Sequence, residues 1–147
     1  MRKRMGITLA LVALIVAAVA VPIGTAAPTK KSHKINGNIV ARGLEGNTVT
    51  GTIKGALGAG AVVYVVSAGP NGTQDLDIKT FFAKGTIKAK ANVTVTIQPD
   101  NTATFTGSGQ INGGTGLFKG AKGSFTTAGT IDANGIIRGT ITGSAKY

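Results

Sequence analysis

The sequence predicts an all-β protein, a small antiparallel β-barrel of about eight strands preceded by an N-terminal signal peptide helix. Beyond residue 34 most segments alternate apolar and polar residues with period two, and no segment shows a helical period. Glycine supplies 23 of the 147 residues, about twice its usual share. Strands without helices to cover them must form a barrel or a sandwich. Glycines on the predicted inward faces favour the barrel, because they permit sharp coiling and leave inward space.

The N-terminus has the pattern of a secretory signal peptide. Basic residues 2–4 precede an apolar run over residues 5–21, and small residues follow up to a predicted cleavage site near Ala26. The expected organisation is a signal peptide over residues 1–26, a flexible basic tail over 27–34 and a β-barrel domain over 35–147. We therefore expect a secreted or extracytoplasmic protein. The apolar run is almost long enough to span a bilayer, so an uncleaved anchor is the one membrane contact that the sequence leaves open.

The exported domain is strongly basic. The formal net charge is +11, and removing the three basic residues of the signal peptide leaves 11 − 3 = +8. Its lysines are spread over many predicted strands and turns and predict a broad positive surface rather than a groove; examples are Lys54, Lys84, Lys88, Lys90, Lys119 and Lys122. This surface favours solubility and weak attraction to anionic envelope polymers. Specific nucleic-acid binding is not expected, because aromatic platforms and a recognition helix are missing.

Composition narrows the chemistry that the chain can perform. The sequence has no cysteine and one histidine, His33, which falls in the predicted basic tail. Disulfides, thiol catalysis and multi-histidine metal sites are therefore excluded. We expect no metal and no cofactor. Of the five acidic residues, only Asp77 is expected to point into the barrel, which gives poor support to a paired general acid and base.

Three strands are predicted in the first half of the chain, over residues 34–42, 48–57 and 61–67. The first two alternate cleanly, with Ile35, Ile39, Val49 and Ile53 on their inward faces. The third begins AVVYVV (61–66) and is apolar on both faces. Its outer face therefore needs a cover, either a C-terminal segment of the same chain or another subunit, for example in a trimer.

The second half contains the longest alternating stretch, predicted over residues 75–98. Leu76 and Ile78 have the opposite parity to Ala83, so a bulge or bend near Phe81 and Phe82 is expected to bring both apolar sets inside. A tight turn then leads into a hairpin. The remaining strands are predicted over residues 102–111, 122–131 and 136–147.

A glycine-rich stretch, INGGTGLFKGAKG, lies at residues 111–123, between two predicted strands. It is not a phosphate-binding loop, because Lys119 stands where the third glycine would be and no helix follows. We expect its glycines to let two strands meet at a barrel rim. Leu117 and Phe118 should then turn inward while Lys119 and Lys122 stay in water.

The same stretch resembles a known family. Its residues are similar to the GGTGxFxGAxG signature that dirigent proteins share with the barrel family of allene oxide cyclases; they are Ile111, Gly113, Gly114, Thr115, Gly116, Phe118, Gly120, Ala121 and Gly123. The resemblance implies a short antiparallel barrel with an apolar cavity, often assembled as a trimer. It also implies a role in cyclisation or coupling of small hydrophobic substrates. The cavity groups that the plant members use align with no residue here, so catalytic residues stay unknown.

Three functions remain in competition. The first is a secreted barrel that binds a small apolar ligand or an envelope component without catalysis. The second is a cofactor-independent cyclase or isomerase that acts inside the barrel, and the third is a structural surface protein. Candidate ligand-binding residues in the barrel interior are Tyr64, Asp77, Phe105, Phe125 and Tyr147.

Overall fold

Residues 29–147 are described by a computed structural model, and the predicted signal peptide lies outside them. Eight antiparallel strands, each hydrogen-bonded to the next in chain order, close into a barrel where the last strand pairs with the first. The strands are β1 Ser32–Gly43, β2 Thr48–Gly55, β3 Gly58–Ala68, β4 Gln74–Phe82, β5 Gly85–Ile97, β6 Ala103–Gly114, β7 Lys122–Ile131 and β8 Ile136–Lys146. Two short 3₁₀ turns, Pro70–Gly72 and Gly116–Phe118, complete it. The predicted all-β, eight-stranded antiparallel barrel is confirmed.

Period-two alternation decides which residues fill the barrel. In β5, Ile87, Ala89, Ala91 and Val93 are buried, whereas the lysines between them are exposed. Because side chains of a strand point alternately to its two faces, each strand contributes one apolar row to the interior. None of the helical turns in the described part of the chain has the length and apolar character needed to cross a membrane.

The junction of β4 and β5 differs from the predicted bend. The expected single element over residues 75–98 is a hairpin: Phe82 pairs with Gly85, and Ala83 and Lys84 form a two-residue turn. Gly85 has a φ of 141°, a conformation that other residues rarely adopt. The inward residues have even numbers in β4, such as Leu76, and odd numbers in β5, such as Ile87. This change comes from the reversal of the chain between the two strands and not from a bulge.

An irregularity does occur, in the pairing of β5 with β6. Lys88 pairs with Gly113 and Ala89 with Ile111, so Asn112 is an extra residue without a partner. An extra residue bends its strand and increases the local twist. Here it lies just before the connection between β6 and β7.

The first strand also begins earlier than predicted. It starts at Ser32, so the last three residues of the predicted tail belong to the barrel. His33 is half-buried and stacks on Tyr147, with ring centroids 4.3 Å apart. His33 therefore lies in the first strand of the barrel rather than in the predicted tail.

The two ends of the barrel differ. At what we call the plugged end, the β6–β7 connection folds over the interior and inserts Phe118, which is 2% exposed. The N-terminal entry to β1 and the β2–β3 and β4–β5 turns lie at this same end, because neighbouring strands run antiparallel. The opposite end, which we call the open end, carries the connections 44–47, 69–73, 98–102 and 132–135.

Inward glycines make room for two aromatic rings. A Cβ at Gly139 would lie 2.8 Å from Cζ of Phe105, and a Cβ at Gly109 would lie 2.7 Å from Cε1 of Phe125. Neither glycine has a positive φ. At these positions glycine is therefore required by space rather than by backbone conformation: a larger residue would displace the ring that lies over it.

Candidate ligand-binding cavity

A cavity of ≈ 310 Å³ opens at the open end of the barrel. Residues of all eight strands line it together with two residues of the β1–β2 connection; the lining is Gly43, Gly46, Asn47, Thr48, Val49, Tyr64, Val66, Gln74, Leu76, Val93, Val95, Phe105, Ile131 and Ile137. A smaller chamber of ≈ 50 Å³ lies deeper and shares Tyr64, Leu76, Phe105 and Ile137 with it. The interior is therefore hollow towards one end and filled at the other.

The cavity wall is apolar and uncharged. None of the fourteen lining residues, all of which lie in the described chain, is acidic, basic or histidine. Polar side chains occur at the rim, where Asn47, Thr48 and Gln74 reach the mouth, and in the wall, where Tyr64 stands alone. In the smaller chamber Thr127 already donates its hydroxyl to the Thr140 carbonyl at 2.9 Å. Tyr64 is thus the polar group in the wall of the main cavity, whereas Thr80, which is 7% exposed, lines the smaller chamber.

Tyr64 is positioned by the alternation of β3. It sits between Val49 of β2 and Ile78 of β4, so its ring faces the interior among aliphatic side chains. Burial raises the pKa of Tyr64 to about 12, because an ionised phenol would lose its hydration there. The phenol is therefore neutral at physiological pH and can both donate and accept a hydrogen bond. None of the side-chain hydrogen bonds formed within residues 29–147 uses its hydroxyl.

The predicted site residues divide into three groups. Tyr64 and Phe105 line the main cavity, and Phe125 lines the smaller chamber, so the structure places these three inside the barrel as predicted. Tyr147 lies elsewhere, at the plugged end. Asp77 is outside.

Tyr147 belongs to the plug. Its ring makes an edge-on contact with Phe118 at a centroid distance of 5.0 Å, and Phe118 in turn contacts Phe82 at 5.6 Å. Because the plug fills the end of the barrel opposite the mouth, Tyr147 does not share the cavity with Tyr64. The prediction that places both tyrosines at one site is wrong for this geometric reason.

The prediction for Asp77 is also wrong. Its side chain is 69% exposed and lies 3.6 Å from the ammonium of Lys90 on the outer surface. Since Leu76 and Ile78 of β4 point inward, the residue between them must point outward. The parity of β4, which the sequence already contains, decides this.

Hydrogen bonds hold the plug in place. The Leu117 N–H donates to the Lys84 carbonyl at 2.9 Å, and the Thr86 N–H donates to Oγ1 of Thr115 at 3.1 Å. Phe118 is buried as expected, and Lys119 and Lys122 are exposed. Leu117 departs from the prediction, because its side chain is 54% exposed. The 3₁₀ turn directs only one of two adjacent residues into the barrel.

Sequence reasoning missed the aliphatic wall. Val66, Leu76, Val93 and Val95 line the cavity, whereas the residues predicted for the site are aromatic or acidic. Period-two alternation already places these residues inward. It does not show which inward residues surround empty space, because that depends on the plug being at the other end.

No protein-family model, curated protein or solved structure matches this chain. Within residues 29–147, no group of three or more histidine or acidic side chains is arranged to hold a metal ion. The fold and the cavity define a small up-and-down β-barrel, plugged at one end and hollow at the other.

Proposed function

We propose that the barrel binds a small, uncharged and mainly apolar molecule, which enters through the open end and is not chemically altered. The observation that supports this most directly is the ≈ 310 Å³ cavity with an apolar, uncharged wall. This volume is at the lower end of the range of about 300–1,000 Å³ that is typical of small-molecule sites. It equals the volume of about ten water molecules in the liquid. The expected ligand is therefore compact, with one or two rings.

Tyr64 gives the cavity its chemical selectivity. A ligand with a hydroxyl or carbonyl group on an apolar body would pair that group with the unoccupied phenol and leave its remaining surface against the aliphatic wall. A net contribution of about 1 kcal/mol is typical of such a hydrogen bond. We expect a charged ligand to be rejected, because the wall offers it no compensating charge.

The test uses the uncharged fluorescent probe 1-N-phenylnaphthylamine and the chain from Ala27 onward. We expect saturable binding of one probe per barrel. Val95→Phe should weaken binding at least tenfold, because the added ring occupies the cavity. The matched control is Thr94→Phe, which adds the same ring one residue earlier, on the exposed face. Equal affinities for the two variants would refute binding inside the barrel.

Binding without catalysis is the better proposal than a cyclase or isomerase. Acid–base catalysis needs polar groups that converge on the substrate within hydrogen-bond reach. Of the candidates, Tyr64 faces the cavity, Tyr147 packs in the plug and Asp77 lies outside. The resemblance of residues 111–123 to dirigent proteins and allene oxide cyclases therefore supports a proposal of similar barrel architecture, and does not extend to their chemistry.

We also propose that the protein is exported. The basic residues 2–4 and the apolar run 5–21 support a signal peptide cleaved near Ala26. N-terminal sequencing of the protein recovered outside the cell should begin at Ala27. A full-length chain retained in the membrane fraction would instead support the uncleaved anchor.

For the assembly, we propose a trimer in which another subunit covers the outer face of residues 61–66. Outward-facing Val65 is 48% exposed, and Phe81 beside Ala61 on the neighbouring strand is 40% exposed. Together with Val63 they form an apolar stripe that a second copy of the chain would bury. Light scattering should give the mass of a trimer, and Val65→Lys should dissociate it. A monomeric mass for the unmodified protein would contradict this proposal.

A further inference from the structure

Charge is separated along the barrel axis. The sequence predicts a broad positive surface, but in the structure eight of the eleven lysines in residues 29–147 lie at or near the plugged end; they are Lys30, Lys31, Lys34, Lys54, Lys84, Lys119, Lys122 and Lys146. The other three lie further along the barrel wall: Lys79 pairs with Lys88, and Lys90 follows on the same strand. The folding of the chain therefore concentrates basic residues that are dispersed in the sequence.

Acidic residues have the opposite distribution. Four of the five lie in or beside the connections of the open end; they are Glu45, Asp75, Asp100 and Asp132. The fifth, Asp77, pairs with Lys90 on the barrel wall. Within the described chain, no carboxylate side chain lies at the plugged end to neutralise its lysines. Arg42 and Arg138 also lie near the open end and offset part of this negative charge. The protein therefore presents a strongly positive end and a weakly acidic rim about the mouth.

An exposed leucine lies within the basic surface. Leu117 is 54% exposed at the tip of the β6–β7 connection, and its backbone is hydrogen-bonded to Lys84. Lys119 follows two residues later, and the ammonium of Lys30 donates to the Gly120 carbonyl at 2.8 Å. Lysines around an exposed apolar side chain are the combination that binds membrane interfaces, where the ammonium groups meet lipid phosphates and the apolar group enters the acyl boundary.

We propose that the plugged end docks onto an anionic lipid surface and holds the mouth of the cavity away from it. Thr29, the first described residue, leads into β1 at this end, and the basic residues Lys30 and Lys31 follow it there. The open end also exposes apolar residues, Leu44 and Ile97, but the neighbouring carboxylates would be repelled by anionic lipid. Electrostatics therefore selects one orientation.

The test uses the chain from Ala27 onward, which contains every strand and the whole core cluster. Vesicles of phosphatidylcholine with phosphatidylglycerol are compared with vesicles of phosphatidylcholine alone in a sedimentation assay. Neutralising Lys119, Lys122 and Lys146 to glutamine should weaken binding to the anionic vesicles on the order of 100-fold, at about fivefold for each lysine near the surface. High salt should weaken the binding of the unmodified chain in the same way.

A matched control removes the same charge elsewhere. Arg42→Gln, Lys79→Gln and Arg138→Gln together change the net charge by the same amount, but all three residues lie away from the plugged end. This triple variant should keep most of its vesicle affinity. Circular dichroism of both triple variants should match the unmodified protein. Equal losses in the two triple variants, or equal binding to both kinds of vesicle, would overturn the proposal.

Leu117 separates a membrane from a soluble polyanion. Leu117→Ser should weaken binding to anionic vesicles several-fold and leave binding to heparin unchanged, because only the vesicle has an apolar interior. If heparin is bound more tightly than anionic vesicles and Leu117→Ser affects neither, the partner is an anionic polymer and the lipid proposal is wrong. Affinity for 1-N-phenylnaphthylamine should be the same in all these variants, so this test is independent of the cavity.

Discussion

Alkaline titration of Tyr64 tests directly whether its phenol faces an apolar interior. Burial raises the pKa of this tyrosine in the folded protein from 10.0 to about 12. Tyr64→Phe removes the ionisable group and keeps the ring. The difference in unfolding free energy between the two proteins, followed against pH, isolates this one residue because all other ionisable groups are the same in both.

The direction and size follow from the two pKa values. Below pH 10 the phenol is neutral in the folded and the unfolded chain, so its ionisation does not reduce the free energy of unfolding. Between pH 10 and about 12 the unfolded chain loses the proton and the folded chain keeps it, so the stability of the unmodified protein falls relative to Tyr64→Phe. The full difference corresponds to ~2.7 kcal/mol. Because Tyr64 is only partly buried and borders the open cavity, solvent screening reduces the expected loss to ~1–1.5 kcal/mol.

The assay is urea unfolding of both proteins at about pH 9 and about pH 11.5, on either side of the pKa of a free tyrosine. A second readout is near-ultraviolet absorbance of tyrosinate in Tyr147→Phe, which leaves Tyr64 as the only tyrosine of the chain. We expect its midpoint well above 10. If Tyr64 titrates at the ordinary value and the stability difference does not change with pH, its phenol lies in water and our description of the cavity wall is wrong.

Further substitutions test the interior, the plug and the outer surface. Gly143→Ala places a Cβ against the Ser124 carbonyl and 2.8 Å from Cβ of Phe125. Urea unfolding should therefore show that the free energy of unfolding falls by ~1–3 kcal/mol. The control Gly43→Ala should be tolerated, because the added Cβ has no atom within 4 Å. Phe118→Ala removes the centre of the plug and should lower the free energy of unfolding by ~3–5 kcal/mol in the same assay. The control Leu117→Ala should change it by less than ~0.5 kcal/mol. Equal effects of the two substitutions would contradict the observed burial of Phe118. Asp77→Asn breaks only an exposed ion pair and should lower the free energy of unfolding by less than ~1 kcal/mol. A change in the affinity for the probe would show that Asp77 contributes to the binding site after all.

Most of the architecture can be predicted because alternation leaves few choices. In β5, apolar residues alternate with lysine and threonine. This pattern predicts both that the segment is a strand and which of its faces points into the barrel. The β4–β5 turn was missed because Ala83 and Lys84 carry no turn signal. Pairing Phe82 with Gly85 satisfies the parities of both strands, and only the three-dimensional pairing shows that the chain reverses here rather than bends.

The candidate site was predictable only in part. Tyr64, Phe105 and Phe125 face inward because of strand parity, which the sequence contains. The place of Tyr147 depends on how the β6–β7 connection folds over the end of the barrel, and contacts between residues far apart in sequence decide that. The separation of charge between the two ends follows from up-and-down topology, which brings alternate turns together.

If a small apolar molecule occupies the hollow end of the barrel, as we propose, bound 1-N-phenylnaphthylamine should show intermolecular NMR contacts to the residues that line this end. We predict contacts to Tyr64, Val95 and Phe105, which line the cavity together. Contacts confined to Val65 and Phe81, on the outer surface, would show that the probe binds outside and would contradict the claim.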